Sequence, residues 1–155
     1  MKTYLTIILL LGTQLSFAQK GGNKDDYKRM IDSAISIISN SYFSSAISRL
    51  DTIAILKEDN SPWPIIGLNL NSNLISINIF DSTTKKKIVD GRGLDAWKLF
   101  PNLEGNKMKI SIAFFVITLS NNEFYFSNGG AARVVFTYSC KKRKWVFQEY
   151  KISGI

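Results

Sequence analysis

Three residues, Pro62, Trp63 and Pro64, divide the chain into a part with the period of a helix and a part with the period of a strand. Proline offers no amide donor and restricts the residue before it, so a regular element is expected to stop here. On the N-terminal side Tyr27, Met30, Ile31, Ala34, Ile35 and Ile38 are spaced at three and four, which predicts an amphipathic helix. Asp25 and Asp26 open it, at the end where the helix dipole favours negative charge. Phe43, Ala46, Ile47, Leu50, Ile53 and Ala54 resume the period up to about Lys57. This predicts either a second helix or one long helix kinked at Asn40.

Beyond the prolines the period falls to two. Ile66, Leu68 and Leu70, then Asn71-Ser72-Asn73, then Ile75, Ile77 and Ile79 read as a hairpin with one wet face. Ser82 to Lys87 reads as a polar loop, Ile88 and Val89 as a short strand, and Leu94, Trp97, Leu99 and Phe100 as a brief helix stopped by Pro101. The last third predicts a four-stranded antiparallel meander: Met108 to Leu119, Phe124 to Phe126, Val134 to Cys140 and Trp145 to Ile152. Its turns are expected at Asn121-Asn122, at Ser127-Asn128-Gly129-Gly130 and at Lys141 to Lys144. Centring the last turn on Lys142 and Arg143 sets Cys140 opposite Trp145 and Tyr138 opposite Phe147, so that Phe136, Tyr138, Cys140, Trp145 and Phe147 share one face, expected to be core.

Helices first and antiparallel strands after is the plan of an α+β domain. Helices packed on a curved antiparallel sheet that ends in a meander resemble, in element order, the nuclear transport factor 2-like (NTF2-like) and cystatin-like folds. That resemblance implies a cone-shaped sheet wrapped on a helix and assigns no site residue.

Residues 1–18 have the layout of a signal peptide. Lys2 is the positive n-region, Leu5 to Leu11 the apolar run, and Ser16 and Ala18 the small residues before a cut at Gln19. The run is too short for a membrane span, and no Cys near the cut offers a lipid attachment point. Gln19 to Lys24 is polar and glycine-rich, a flexible leader, and residues 25–155 are expected to form a single domain. The expected address is therefore periplasmic or secreted, without a lipid anchor. Losing Lys2 lowers the formal net charge of +8 by one, so the exported chain stays basic.

The absence of His removes the base from Ser-His-Asp and Cys-His chemistry and the nitrogen ligands from the usual zinc sites. Cys140 beside Lys141 to Lys144 has the cations that favour a thiolate, but with Tyr138 and Trp145 as expected neighbours it reads as a packed, inert side chain. Gly91-Arg92-Gly93-Leu94-Asp95-Ala96 matches a dinucleotide-binding spacing, yet lacks the strong parallel strand that must precede it, so a turn accounts for both glycines. Asp81, Asp90, Asp95, Glu123 and Glu149 suit acid-base work by type, and no spacing selects a pair. The sequence points to no catalytic residue, no cofactor and no metal.

What remains is binding. Lys85, Lys86 and Lys87, and Lys141, Lys142, Arg143 and Lys144, are two basic runs expected in loops, and together they would form an anion-binding patch. Trp63, between its prolines, is the candidate aromatic contact, whereas Trp97 and Trp145 read as core. The leading expectation is a non-enzymatic binding or protein-interaction module. The alternatives are recognition of an anionic polymer or envelope surface by the basic loops, with nucleic acid disfavoured by export, and a carboxylate-based hydrolase or isomerase with its pocket in the curved sheet.

Overall fold

A computed structural model describes residues 24–45, 52–65, 73–91 and 93–154. The expected signal peptide, residues 19–23 of the expected leader, residues 46–51 of the expected second helical segment, and residues 66–72 of the expected hairpin lie outside them. The helical period holds where its apolar stripe finds a partner. Helix α1 (Lys24–Ser45) takes in Lys24, continues through Asn40, and buries Met30, Ile31, Ala34, Ile35 and Ile38. Fully burying an isoleucine contributes roughly 1.5–3 kcal/mol, so this stripe fixes the face that α1 turns to the sheet.

The remaining elements are β1 (Ile53–Leu56), β2 (Leu74–Ile75), α2 (Ser82–Asp90), β3 (Leu94–Glu104), β4 (Lys107–Ser120), β5 (Glu123–Ser139) and β6 (Lys144–Ser153). They form one strongly curled, mixed sheet in the order β2-β1-β3-β4-β5-β6. Strand β1 runs parallel to β2 and to β3, and every pairing from β3 to β6 is antiparallel. The architecture is α+β, with α1 on one face.

Several expected elements differ, for identifiable reasons. Ile53 to Leu56 continues the helical spacing but forms a strand whose four residues are all buried. Ile53 and Ile55 join the core under α1, while Ala54 and Leu56 join a second core under α2. Leu94 to Phe100 is likewise strand rather than brief helix: Trp97 and Leu99 face the first core, Leu94 and Ala96 the second. A strand buried on both faces shows no alternation, and three-residue spacings then arise by coincidence. Leu74 and Ile75 pair in parallel with β1; the arm expected to form a hairpin with them lies outside the described residues. Ile88 and Val89 belong to α2, not to a strand.

The meander is present with its strands redistributed. It consists of β3 to β6, because Asn128-Gly129-Gly130 does not turn the chain. Phe114 pairs with Gly130 and Phe115 with Asn128, so Gly129 is the extra residue of a bulge inside one 17-residue strand. Asn128 Oδ1 accepts a hydrogen bond from the Gly130 N–H at 2.8 Å, stabilising that bulge. The expected turn at Asn121-Asn122 is there, with φ of 51° and 64° and Ser120 opposite Glu123. Two positive φ values match the twist that a two-residue hairpin needs.

At the last hairpin Tyr138 pairs with Trp145 and Phe136 with Phe147, ring centroids 5.5 and 6.1 Å apart; the expected partners, Cys140 for Trp145 and Tyr138 for Phe147, are displaced by two residues because the turn takes in residues 140–143 and pairing begins at Ser139 and Lys144. Phe136, Tyr138, Trp145 and Phe147 do share one face, but Phe147 is 43% exposed rather than core. Cys140 is not among them: it lies in the turn, exposed, rather than packed.

Candidate functional site

The two basic runs are separated by the length of the sheet. Lys85, Lys86 and Lys87 lie within α2 rather than a loop, and Lys85 Nζ sits 5.7 Å from the centroid of the Phe124 ring, at the start of β5. Lys141, Lys142 and Arg143 form the turn after Ser139, where β5 ends, and Lys144 opens β6; all four are exposed. From Phe124 to Cys140 the strand path is roughly 50 Å. The runs do not meet in one patch.

A different set of cations shares a surface. Helix α1 covers one face of β3 to β6. On the other face α2 reaches only the end near Ile117, Leu119, Phe124 and Phe126. Beyond it, among the described residues, the sheet is uncovered, and alternation sends Lys98 of β3, Lys109 of β4, Arg133 of β5 and Lys151 of β6 out onto it. The register runs Phe100, Ser111, Arg133, Lys151 straight across four strands. Directly opposed residues project from the same face with Cα atoms about 4.5–5.5 Å apart. Arg133 and Lys151 are therefore like charges side by side, and among the described residues neither closes a salt bridge.

Small side chains make a depression beside them. Ser111, Ala131, Ala132, Arg133, Lys151 and Ser153 line a cavity of about 240 Å³. Lys98 Nζ lies 5.6 Å from the Phe100 ring centroid and 5.7 Å from that of Phe126, which positions the ammonium over the same face. At the far end Glu104 is ion-paired with Lys109. The hydrogen bond from Lys109, then its charge and those of Arg133 and Lys107, hold the Glu104 carboxyl below the usual carboxylate range. One carboxylate thus sits in the field of three cations.

Trp63 is core rather than an exposed aromatic contact. It is 8% exposed, and its Nε1–H donates to Asp32 Oδ1 at 3.0 Å. Lys28 also pairs with Asp32. The prolines place the ring under α1 instead of in a surface loop.

The carboxylates are dispersed. Asp81 caps the start of α2, where its Oδ1 accepts from Asn78 Nδ2 at 3.2 Å, and Asp90 ends that helix. Glu123 opens β5 and accepts from the Tyr125 hydroxyl at 3.3 Å, and Glu149 lies on β6. Asp95 lines a cavity of about 130 Å³ with Tyr42, Trp97 and Phe114. The glycine-rich stretch lies between a helix and the following strand, the reverse of the order a dinucleotide motif requires. A Cβ on Gly93 would come within 2.8 Å of the Ile117 carbonyl oxygen, a packing reason for that glycine.

Lys98, Lys109, Arg133 and Lys151 form no run in the sequence. Their signal is position, with Lys98, Lys109 and Arg133 each between buried residues and Lys151 before the partly buried Ile152, and reading it requires the strand pairing. Among the described residues no group of three or more Cys, Asp and Glu is placed to hold a metal, and no helix is long and apolar enough to cross a membrane. Compared with protein-family models, curated proteins and solved structures, the chain matches none of them.

Proposed function

We propose that this protein is an exported, non-enzymatic binding module that holds an anionic polymer on the open face of β3 to β6. The observation that carries the reading is the cross-strand pair Arg133 and Lys151 beside a depression floored by Ser111, Ala131 and Ser153. Like charges directly opposed weaken a sheet by roughly 0.2–1 kcal/mol. A local cost of this kind, which no salt bridge offsets among the described residues, is what an anion-binding surface carries when empty. Lys98 extends the positive field along the face, and the net charge of +7 that remains when Lys2 is removed from the full chain's +8 attracts a polyanion from a distance.

Export rests on the arrangement of residues 1–18, and periplasm or extracellular space is the proposed address. The long helix on a curled sheet ending in a meander supports an NTF2-like or cystatin-like arrangement. The hydrolase or isomerase reading needs two carboxylates facing one another in an apolar pocket, whereas Asp81, Asp90, Asp95, Glu123 and Glu149 are dispersed over separate elements. A protein partner with an acidic surface would use the same cations.

Binding of a sulfated polysaccharide, of polyphosphate and of anionic lipid vesicles, each measured as a function of salt, tests the proposal. The expected result is affinity that falls with salt and drops about tenfold in Arg133→Ser/Lys151→Ser, with a salt slope smaller by about two charges. Lys86→Ser/Lys87→Ser and Lys141→Ser/Lys142→Ser should each cost less. Binding that persists in about 1 M salt, or that ignores Arg133 and Lys151, refutes it.

A further inference from the structure

Strand β1 ends at Leu56, opposite Lys98, while β3 continues to Glu104. The chain leaves the sheet there through a tight turn, in which the Lys57 N–H donates to the Ser61 carbonyl at 2.8 Å and the Asn60 N–H to the Lys57 carbonyl at 3.0 Å. The departure of β1 opens a notch at the corner of the sheet, under the first turns of α1. Its cavity measures about 240 Å³. Ile31, Trp63, Leu99 and Pro101 form its floor, Tyr27 stands at its mouth, and Lys57, Glu58 and Asp59 form the rim.

The floor is core that the fold leaves unfilled. Ile31 and Leu99 are at most 1% exposed, yet both line the cavity, and Tyr27 over it stays 43% exposed. An engineered apolar cavity of about 150 Å³ takes up benzene, so this volume admits a ring with a short side arm. The rim chooses the charge of that arm. Asp59 Oδ1 accepts from the Ser61 N–H at 2.9 Å and from the Ser61 hydroxyl at 2.6 Å, which fixes the carboxylate and leaves Oδ2 unused by these bonds. These bonds also hold its carboxyl below the ordinary value, so it stays charged through the neutral range. Glu58 adds a second negative charge against the single positive charge of Lys57. Burial pushes the Tyr27 phenol up, so it remains a neutral hydroxyl.

We propose that this corner cavity binds a small organic cation, a primary amine on an aromatic or branched aliphatic body, with the body on Ile31, Trp63 and Leu99 and the ammonium at Asp59 and Glu58. The site is independent of the polyanion face. It lies on the α1 side of the sheet, and its rim has the opposite sign to the molecule as a whole. That opposition gives the test its control, because the general field of a basic protein favours an anionic isostere.

The probes are 2-phenylethylammonium and phenylacetate, which carry similar bodies and opposite charges. The readout is the indole N–H resonance of Trp63 in the full chain, assigned with Trp63→Phe. The expected result is saturable binding of the ammonium, with phenylacetate at least about tenfold weaker and Asp59→Asn lowering the ammonium affinity about three- to tenfold. Glu58→Gln, which does not touch the turn hydrogen bonds, should lower it in the same direction and should unfold at the temperature of the parent. Equal binding of both probes, no binding of either at about 10 mM, or affinity unchanged in both variants overturns the proposal.

Discussion

Gly130→Ala is the substitution that most directly tests how this sheet is bent. Gly130 has φ of +131°, a backbone conformation that side-chain-bearing residues rarely adopt. A Cβ there would lie 2.5 Å from the Gly154 carbonyl oxygen and 2.7 Å from that of Ser153. Both are main-chain atoms, so no side-chain rotation relieves the contact. Moving the end of β6 outward would loosen its pairing of Ser153 with Ala131. The conformational penalty is about 1–3 kcal/mol, and the displaced strand end should bring the total to about 3 kcal/mol. Gly105→Ala is the matched control: its φ is +58°, and nothing lies within 4 Å of the added carbon. Strain without a clash should cost about 1 kcal/mol. Urea denaturation of the two variants and the parent measures both values, given a common slope. Equal losses, or a loss below about 1 kcal/mol for Gly130→Ala, would show that the bulge accommodates a side chain and that the close approach of β5 to β6 is not what requires glycine.

Ser39 is 1% exposed and its hydroxyl has no hydrogen-bond partner among the described residues; Ser39→Ala should therefore raise stability by about 1 kcal/mol in the same denaturation assay. Trp63→Phe keeps the ring in the core but removes the Nε1 donor to Asp32, with an expected loss of about 1–3 kcal/mol, part of which Asp32→Asn in the same background should not repeat. Glu104 has its carboxyl held below the ordinary 4.5 by Lys109. A lowered folded pKa contributes stability above the ordinary value and loses it as pH falls through the folded one, so Lys109→Ala should flatten the acid loss of stability below about pH 4.5. Both Glu104 and Lys109 are accessible to solvent, and salt should shrink the difference between variant and parent.

How legible each strand was in the sequence depends on how many of its faces are buried. Strand β4 alternates Met108, Ile110 and Ile112 with Lys109, Ser111 and Ala113 because only α1 covers that stretch, and its hydropathy shows the period. In β1 and the first half of β3 the same geometry is hidden, since both faces pack and every position tolerates an apolar residue. The hairpin at Asn121-Asn122 was readable because two positive φ values favour asparagine or glycine. The same chemistry misleads at Asn128-Gly129-Gly130, where freedom of φ serves a bulge rather than a reversal. Local sequence specifies the backbone conformation, and the continuation of pairing on β4 decides whether the strand turns or only bends.

The charges follow a similar logic with an opposite outcome for function. A run such as Lys85 to Lys87 is conspicuous because its members are consecutive, and consecutive residues on a helix point in different directions, about 100° apart. Lys85 consequently lies toward Phe124 while Lys86 and Lys87 face solvent. Cations that converge on one face of a sheet must instead be non-consecutive, two apart on one strand or brought together across strands, as Lys98, Lys109, Arg133 and Lys151 are. Their proximity depends on cross-strand register. Shifting β6 by one residue against β5 would turn Lys151 onto the α1 side and bring Ile152 out to water, so the apolar core that fixes the register also fixes the charged surface. The prediction that separates this from a surface of independent lysines is a double-mutant cycle on stability. Arg133→Ser and Lys151→Ser should each relieve repulsion of roughly 0.2–1 kcal/mol, and the double variant should gain no more than one of them alone. Gains that simply add would mean that the two charges do not interact and that the open face is not strained for an anion.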